Sequence, residues 1–275
     1  MPLLTFNGLM DKMKTMEDIK PRDFRSLVRE GKWQRPTAGV AMGYAQMNIV
    51  ILPETYAFDF LLFCQRNPKP CPVIEVMEKG QYITSFSAQD ADIRTDIPGY
   101  NIYKNGILQG TRWDITDIWE ADFVTFLIGC SFSFEDALMR AGISIRHIEE
   151  DKNVPMYLTN IDCIPAGIFR GPYVVTMRPI PKEKLFKAIQ ITSRYASVHG
   201  GPVHIGEPNL IGIKDINRPD FGDPVTIRDG EIPVFWACGV TPQSAVMNAR
   251  PHICITHKPG HMFVSDLLNE ELSTF

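Results

Sequence analysis

Cys130 and Cys238 stand 108 residues apart (238 − 130), and each closes an apolar run just ahead of a helix-like segment. The first lies in "FLIGCSFSFEDALMRAG", residues 126–142, and the second in "VFWACGVTPQSAVMNAR", residues 234–250. The same shift places Ser133 on Thr241, Glu135 on Gln243, Ala137 on Ala245 and Met139 on Met247. A helix N-terminus presents free N–H groups and a positive dipole end, which attract carboxylates and lower a thiol's pKa. Cys130 and Cys238 are therefore candidate nucleophiles or proton-transfer groups; the alternative is two small apolar fillers at tight turns. Ser131, Ser133, Thr241 and Gln243 line the same turns as candidate substrate-binding groups, with Ser133 and Thr241 expected to cap the helices.

Three more stretches concentrate polar chemistry. In "TSRYASVHGGPVHIGEP", residues 192–208, His199 and His204 flank a Gly-Gly-Pro turn, with Glu207 beyond. His204 offers a base near neutral pH, and Arg194 a bidentate carboxylate clamp. "ITHKPGHMFVSDL", residues 255–267, carries His257 and His261 around a Pro-Gly turn and reads as a third strand-to-helix junction. "FCQRNPKPCP", residues 63–72, places Arg66 and Asn67 beside prolines that fix the loop. The histidine spacings fit no zinc motif, and no metal or other cofactor is expected. No dinucleotide glycine fingerprint, P-loop, nucleophile elbow or HExxH occurs.

Those groups need elements to hold them. Pro21 opens an expected helix that Gly31 ends, within an amphipathic first forty residues. "MNIVILPE" reads as a buried strand ended by Pro53, and "VIEVME" as another. "TYAFDFLLFCQRN" fits helix or strand equally. The Asn-Gly of "YNIYKNGILQG" predicts a hairpin. "GPYVVTMRPIPKEKLFKAIQITSRY" reads as strand, turn and helix, "PVHIGEPNLIGI" as short strands, and "HICITHKPGHMFVSDLL" as strand, turn and helix. A strand-turn-helix unit used twice suits an α/β sheet. Residues 143–207 suggest a smaller α+β insertion in a main portion formed by 1–142 and 208–275.

Composition bounds the function class. With 44% hydrophobic and 22% charged residues, the chain is ordinary for an ordered globular protein. Lys plus Arg is 28 against 32 Asp plus Glu, a net charge of −4, so no basic excess points to nucleic acid or an anionic membrane. The apolar runs are too short to span a bilayer, and the first residues lack a secretory pattern, so a cytoplasmic location is expected. Six scattered cysteines argue for free thiols.

"FCQRNPKPCP", "GCSFSFEDAL", "RGPYVVTMRPI", "VHGGPVHIGEP", "GDPVTIR", "VFWACGVTPQ" and "ITHKPGHMFVSDL" together resemble the bacterial "putative hydro-lyase" family, also described as similar to D-glutamate cyclase. The resemblance runs from about Arg22 to Leu268. It implies a two-part α/β fold, with a three-layer α/β/α main portion and a smaller inserted α+β two-layer portion. It also implies a carbon–oxygen lyase of amino-acid metabolism that cyclises an acidic amino acid to 5-oxoproline with loss of water. On that reading Arg66 or Arg194 clamps a carboxylate, backbone N–H groups after Cys130 and Cys238 hold the oxyanion, and His204 or His257 moves protons. The expected partner is a small anionic substrate, and a homodimer is allowed. Two other readings stand beside it. One is a cofactor-independent racemase using the two cysteines as opposed acid and base; the other is a non-catalytic binding module for a small carboxylate.

Overall fold

The computed structural model describes residues 16–273. In chain order its regular elements are α1 (Pro21–Arg29), β1 (Tyr44–Pro53), α2 (Glu54–Arg66), β2 (Val73–Val76), β3 (Tyr100–Lys104), β4 (Ile107–Arg112), β5 (Phe123–Gly129) and α3 (Phe132–Arg140). They continue with α4 (Arg146–Glu149), β6 (Met156–Asp162), β7 (Pro172–Pro181), α5 (Leu185–Ser193), β8 (His204–Ile205), β9 (Glu231–Ala237), α6 (Val240–Ala249), β10 (Cys254–His257) and β11 (Phe263–Leu268). Part of the expected N-terminal amphipathic segment lies outside the described residues; the helix opened by Pro21 lies within them. None of the described helices is long and apolar enough to cross a membrane.

The fold is mixed α/β with two sheets. The larger has the order β2-β5-β1-β10-β3-β4, with β11 also paired to β1. Its centre is β1, an apolar run with β-branched residues that suits a strand buried on both faces. Met47, Ile49 and Ile51 point into one core with Ile93, Ile97 and Tyr100. Val50 and Leu52 point into another, against Phe60 and Phe63 of α2 and Ala245 and Val246 of α6. That alternation is the two-residue strand period. The ambiguous "TYAFDFLLFCQRN" settles as α2, because a helix places Phe60, Phe63 and Cys64 together on that core.

The smaller sheet has the order β6-β7-β9-β8. Three of its strands come from within 143–207, and the fourth, β9, comes from beyond it. On one face Ile180, Val234 and Trp236 pack against Phe134 and Leu138 of α3 and Ala188 of α5. On the other, Val175, Met177 and Phe235 pack with Tyr157, Ile211 and Val225. Every strand pairing in both sheets is antiparallel.

The Asn-Gly hairpin forms as expected: Asn105 and Gly106, at φ +51° and +78°, join β3 to β4. "HMFVSDL" does not form the expected helix. It is β11, which pairs Gln46 with Val264 and Met47 with Phe263. Burying Phe263 and Val264 on opposite faces of that strand outweighs the helix reading. The turn at His257–His261 therefore joins two strands and offers no helix N-terminus.

Candidate active site

The two cysteine-bearing turns are built alike. β5 runs antiparallel to β1 with Met47 opposite Gly129, and β9 runs antiparallel to β7 with Val175 opposite Ala237. Each strand then turns through a cysteine into a helix, α3 or α6. Ser133 and Thr241 hold equivalent places and do equivalent work. Ser133 Oγ accepts from the Gln46 N–H at 3.0 Å and donates to the Gln46 carbonyl at 3.5 Å. Thr241 Oγ1 accepts from the Val174 N–H at 2.9 Å and donates to the Val174 carbonyl at 3.2 Å. Neither caps its helix as expected. Each hydroxyl instead satisfies both backbone groups of one residue on the strand beside it.

The turns meet across Asn48, which lies on β1 between them. Its Nδ2 donates to the Gly129 carbonyl at 2.7 Å. A Cβ added to Gly239 would fall 1.9 Å from that same nitrogen, so only glycine lets the second turn approach. Cys130, Phe132, Val174, Cys238 and Val240 form one apolar cluster over the junction. Cys130 and Cys238 keep 6% and 7% exposure and the polar groups beneath keep 2% or less, so the junction is buried, with the two cysteines nearer the surface than the groups beneath.

Beneath them lies Arg178, from β7. Its Nε donates to Glu135 Oε1 at 2.9 Å, its Nη1 to Thr176 Oγ1 at 2.9 Å, and its Nη2 to Ser131 Oγ at 3.0 Å. Nη2 also contacts Glu135 Oε1. The guanidinium lies near the rings of Phe134 and Trp236, with centroids at 5.3 and 5.6 Å. His147 Nε2 lies 3.3 Å from the same Glu135 oxygen, and its ring stacks on Phe132. Burial works against charge on Glu135, yet His147 and Arg178 hold its carboxyl below the ordinary range. An anionic Glu135 and a cationic Arg178 thus sit fully buried under the first turn.

His199 completes the group. It adopts φ +86°, in the left-handed region that non-glycine residues seldom use. Its Nδ1 lies 2.9 Å from the Lys69 carbonyl, an acceptor, so Nδ1 carries the ring proton. Nε2 is buried with no hydrogen-bond partner among the described residues. Burial pushes its pKa down to about 4, and the nearby Lys69 and Arg178 charges act the same way.

The structure redraws the expected site. Cys130, Ser131, Ser133, Cys238, Thr241 and Gln243 gather at the paired turns, and His257 reaches them through Gln243. The Gln243 amide nitrogen lies 3.0 and 3.2 Å from the two His257 ring nitrogens, while the Ile49 N–H donates to His257 Nδ1 at 3.2 Å. Burial holds His257 at about 3 and His261 at about 4, so both are neutral at pH 7. The expected lowering of the thiol pKa does not occur. Burial pushes Cys238 up to about 11 and Cys130 higher still, despite backbone N–H groups aimed at both sulfurs. The first-turn donors are also engaged locally: Ser133 and Thr241 N–H reach the Cys130 and Cys238 carbonyls.

Four expected residues lie elsewhere. His204 sits on β8 opposite Phe235, on the sheet face away from Arg178, and its Nε2 meets the Glu207 carbonyl at 2.8 Å. Strand alternation puts it there: Phe235 and Trp236 face opposite ways. Arg66 donates to the Pro165 carbonyl at 2.5 Å. Asn67 is fully used, donating to Phe63 and Ile164 carbonyls and accepting from the Ile164 N–H, all at 2.8 Å. Both latch α2 to the loop after β6. Arg194 lines a separate cleft at the C-terminal end of α3.

Arg178, Glu135, His147 and Asn48 escape the sequence reading, which gives the base role to His204 where the structure favours its neighbour His199. Arg178 carried a signal, because a lone cation inside the ten-residue run "PYVVTMRPIP" must find a buried anion. Among the described residues, no group of three His, Cys, Asp or Glu side chains is placed to hold a metal ion.

Residues 124–266, which carry both turns, Arg178 and His199, match the D-glutamate cyclase family. The chain belongs to that family. Its curated relatives include "Putative hydro-lyase YcsI" of Bacillus subtilis, 60% identical over 93% of this chain and 99% of that protein. "Putative hydro-lyase GK2103" of Geobacillus kaustophilus is 59% identical over 92% of this chain and 97% of its own length. A "Putative hydro-lyase" of Stutzerimonas stutzeri is 57% identical over 93% and 96%. This member of the D-glutamate cyclase family thus aligns with its relatives over nearly their full length. The family match begins one residue into β5 and ends within β11, so it takes in both cysteine turns.

Proposed function

We propose that the protein is a hydro-lyase of the D-glutamate cyclase kind, closing D-glutamate to 5-oxo-D-proline with loss of water at the paired cysteine turns. The observation that carries this reading is the guanidinium of Arg178, buried under the junction and bonded to Ser131 of the first turn. Glu135 neutralises that guanidinium, so what it offers a substrate is the Ser131 hydroxyl it orients, a fixed donor in low-dielectric surroundings that favours a small carboxylate and the negative charge that develops on it.

On this reading the apolar cluster parts above Cys130 and Cys238 to admit the substrate, whose carboxylate accepts from the Ser131 hydroxyl that Arg178 orients. Its amine, once deprotonated, attacks the γ-carboxyl carbon, forming the C–N bond and a tetrahedral oxyanion. Two protons leave the original ammonium and two reach the departing oxygen, which leaves as water. His199 Nε2, unprotonated and unpartnered, takes a proton, and Ser131 relays one to the leaving oxygen. The neutral thiols shape the mouth of the site. Their raised pKa values weigh against the racemase reading, which needs one cysteine as thiolate.

The test is incubation of the purified protein with D-glutamate in deuterated water, followed by NMR. The expected product is 5-oxoproline without deuterium at Cα, with turnover reduced about 100-fold or more in Ser131→Ala. Deuterium at Cα of recovered glutamate would instead establish racemisation. D-Glutamate that raises Tm without being consumed would establish a binding module.

A further inference from the structure

We propose a second ligand site, for a small zwitterionic amino acid with an apolar side chain, in a cleft of about 620 Å³ at the C-terminal end of α3. The volume falls within the range of small-molecule sites. The cleft lies beside the C-terminal half of α3, with the start of β1 and residues 268–270 on one side and α5 on the other. It is separate from the Arg178 cluster and independent of the reading above.

Both charges of an amino acid have counterparts on its walls. Asp136 and Glu270 both approach Arg140, with oxygens 2.5 and 3.7 Å from its Nη atoms. Beside them Asn269, only 4% exposed, has a buried Oδ1 that accepts no hydrogen bond among the described residues. An orphaned buried acceptor calls for a donor, and an ammonium group supplies three. Across the cleft, Lys187, whose Nζ donates to the Ala141 carbonyl at 2.8 Å, and Arg194 line the wall and bring positive charge toward a carboxylate. The four charges of Arg194, Glu270, Asp136 and Arg140 converge closely enough to act on the Tyr195 hydroxyl, which also lines the cleft. Ala137, Ile191 and Leu268 supply apolar surface for a side chain, and Leu268 is 44% exposed with nothing over it among the described residues.

This site shares one element with the proposed active site. Glu135 of α3 contacts Arg178, and the next residue, Asp136, lines the cleft.

The test is calorimetric titration of the full chain with leucine of each enantiomer, with acetate, and with butylammonium. The expected result is saturable leucine binding with Kd below about 10 mM, at least about tenfold tighter than acetate or butylammonium. Glu270→Gln, whose side chain is exposed enough to leave the fold intact, weakens leucine binding about tenfold, as does Asn269→Ser. Acetate binding as tightly as leucine would overturn the proposal in favour of a bare anion site. No saturation by either enantiomer, or wild-type affinity in both variants, would also overturn it.

Discussion

Asn48 Nδ2 occupies the space that a side chain on Gly239 would need, 1.9 Å from the ideal Cβ position, while bonding the Gly129 carbonyl at 2.7 Å. One amide therefore sets the separation of the two turns. Gly239 sits at φ −67°, an ordinary value for any residue, so its requirement for glycine is steric alone. Gly239→Ala is expected to destabilise the protein by about 1–3 kcal/mol. Adding Asn48→Ala removes the obstacle, so the double variant should fall short of the sum of the two single losses. Urea unfolding of all three variants measures that coupling.

Arg178→Met leaves Glu135 as a buried carboxylate without its cation, at an expected cost of about 3–5 kcal/mol. Arg178→Lys recovers little, since a lysine cannot reproduce three directed N–H bonds to Glu135, Thr176 and Ser131. Removing both charges, with Arg178→Met and Glu135→Gln together, should restore much of the stability. Denaturant midpoints separate these outcomes.

The thiols give a chemical test of burial. All six cysteines among the described residues are free and buried. Burial raises Cys130, Cys163, Cys238 and Cys254 well above a free thiol, so native protein at pH 7.5 should react with a thiol-specific disulfide reagent far more slowly than unfolded protein. Rapid labelling of one or two cysteines in the native state would contradict it. Cys130→Ala should retain D-glutamate turnover if the thiols only shape the site.

Stability should depend on pH in one direction. His257, His199 and His261 titrate near 3, 4 and 4 when folded, against about 6.5 when unfolded. Below pH 6.5 the unfolded chain binds protons that the folded protein refuses, so stability falls as pH drops from 6.5 toward 4. Each histidine contributes on the order of 1–2 kcal/mol of loss between pH 7 and 5. Urea midpoints at the two pH values check this, and His257→Gln should flatten the profile.

Much of the fold was readable because it rests on local pattern. Apolar runs located β1, β5 and β9, Pro21 located α1, and Asn105-Gly106 located the first hairpin. The paired turns were visible from Cys130, Cys238 and the residues that follow them. What stayed hidden depends on contacts distant in sequence. Ser133 and Thr241 look like helix caps, yet they bond strands reached 87 and 67 residues away. Glu135 and Arg178 are 43 residues apart and become a pair only when α3 lies on β7. His204 and His199 are the same side chain five residues apart; only the fold separates them, burying His199 Nε2 without a partner among the described residues and pairing His204 Nε2 with the Glu207 carbonyl.

The two edges of β1 are filled at very different times in synthesis. Its edge toward β5 can close once residue 129 has emerged, but the other is shared by β10 and β11, from residues 254–268. A nascent chain of 250 residues therefore carries an apolar central strand with one row of N–H and C=O groups unpaired. Such an edge is a template for pairing with other chains. The last strands close the sheet and, in doing so, protect the chain from its neighbours on the polysome.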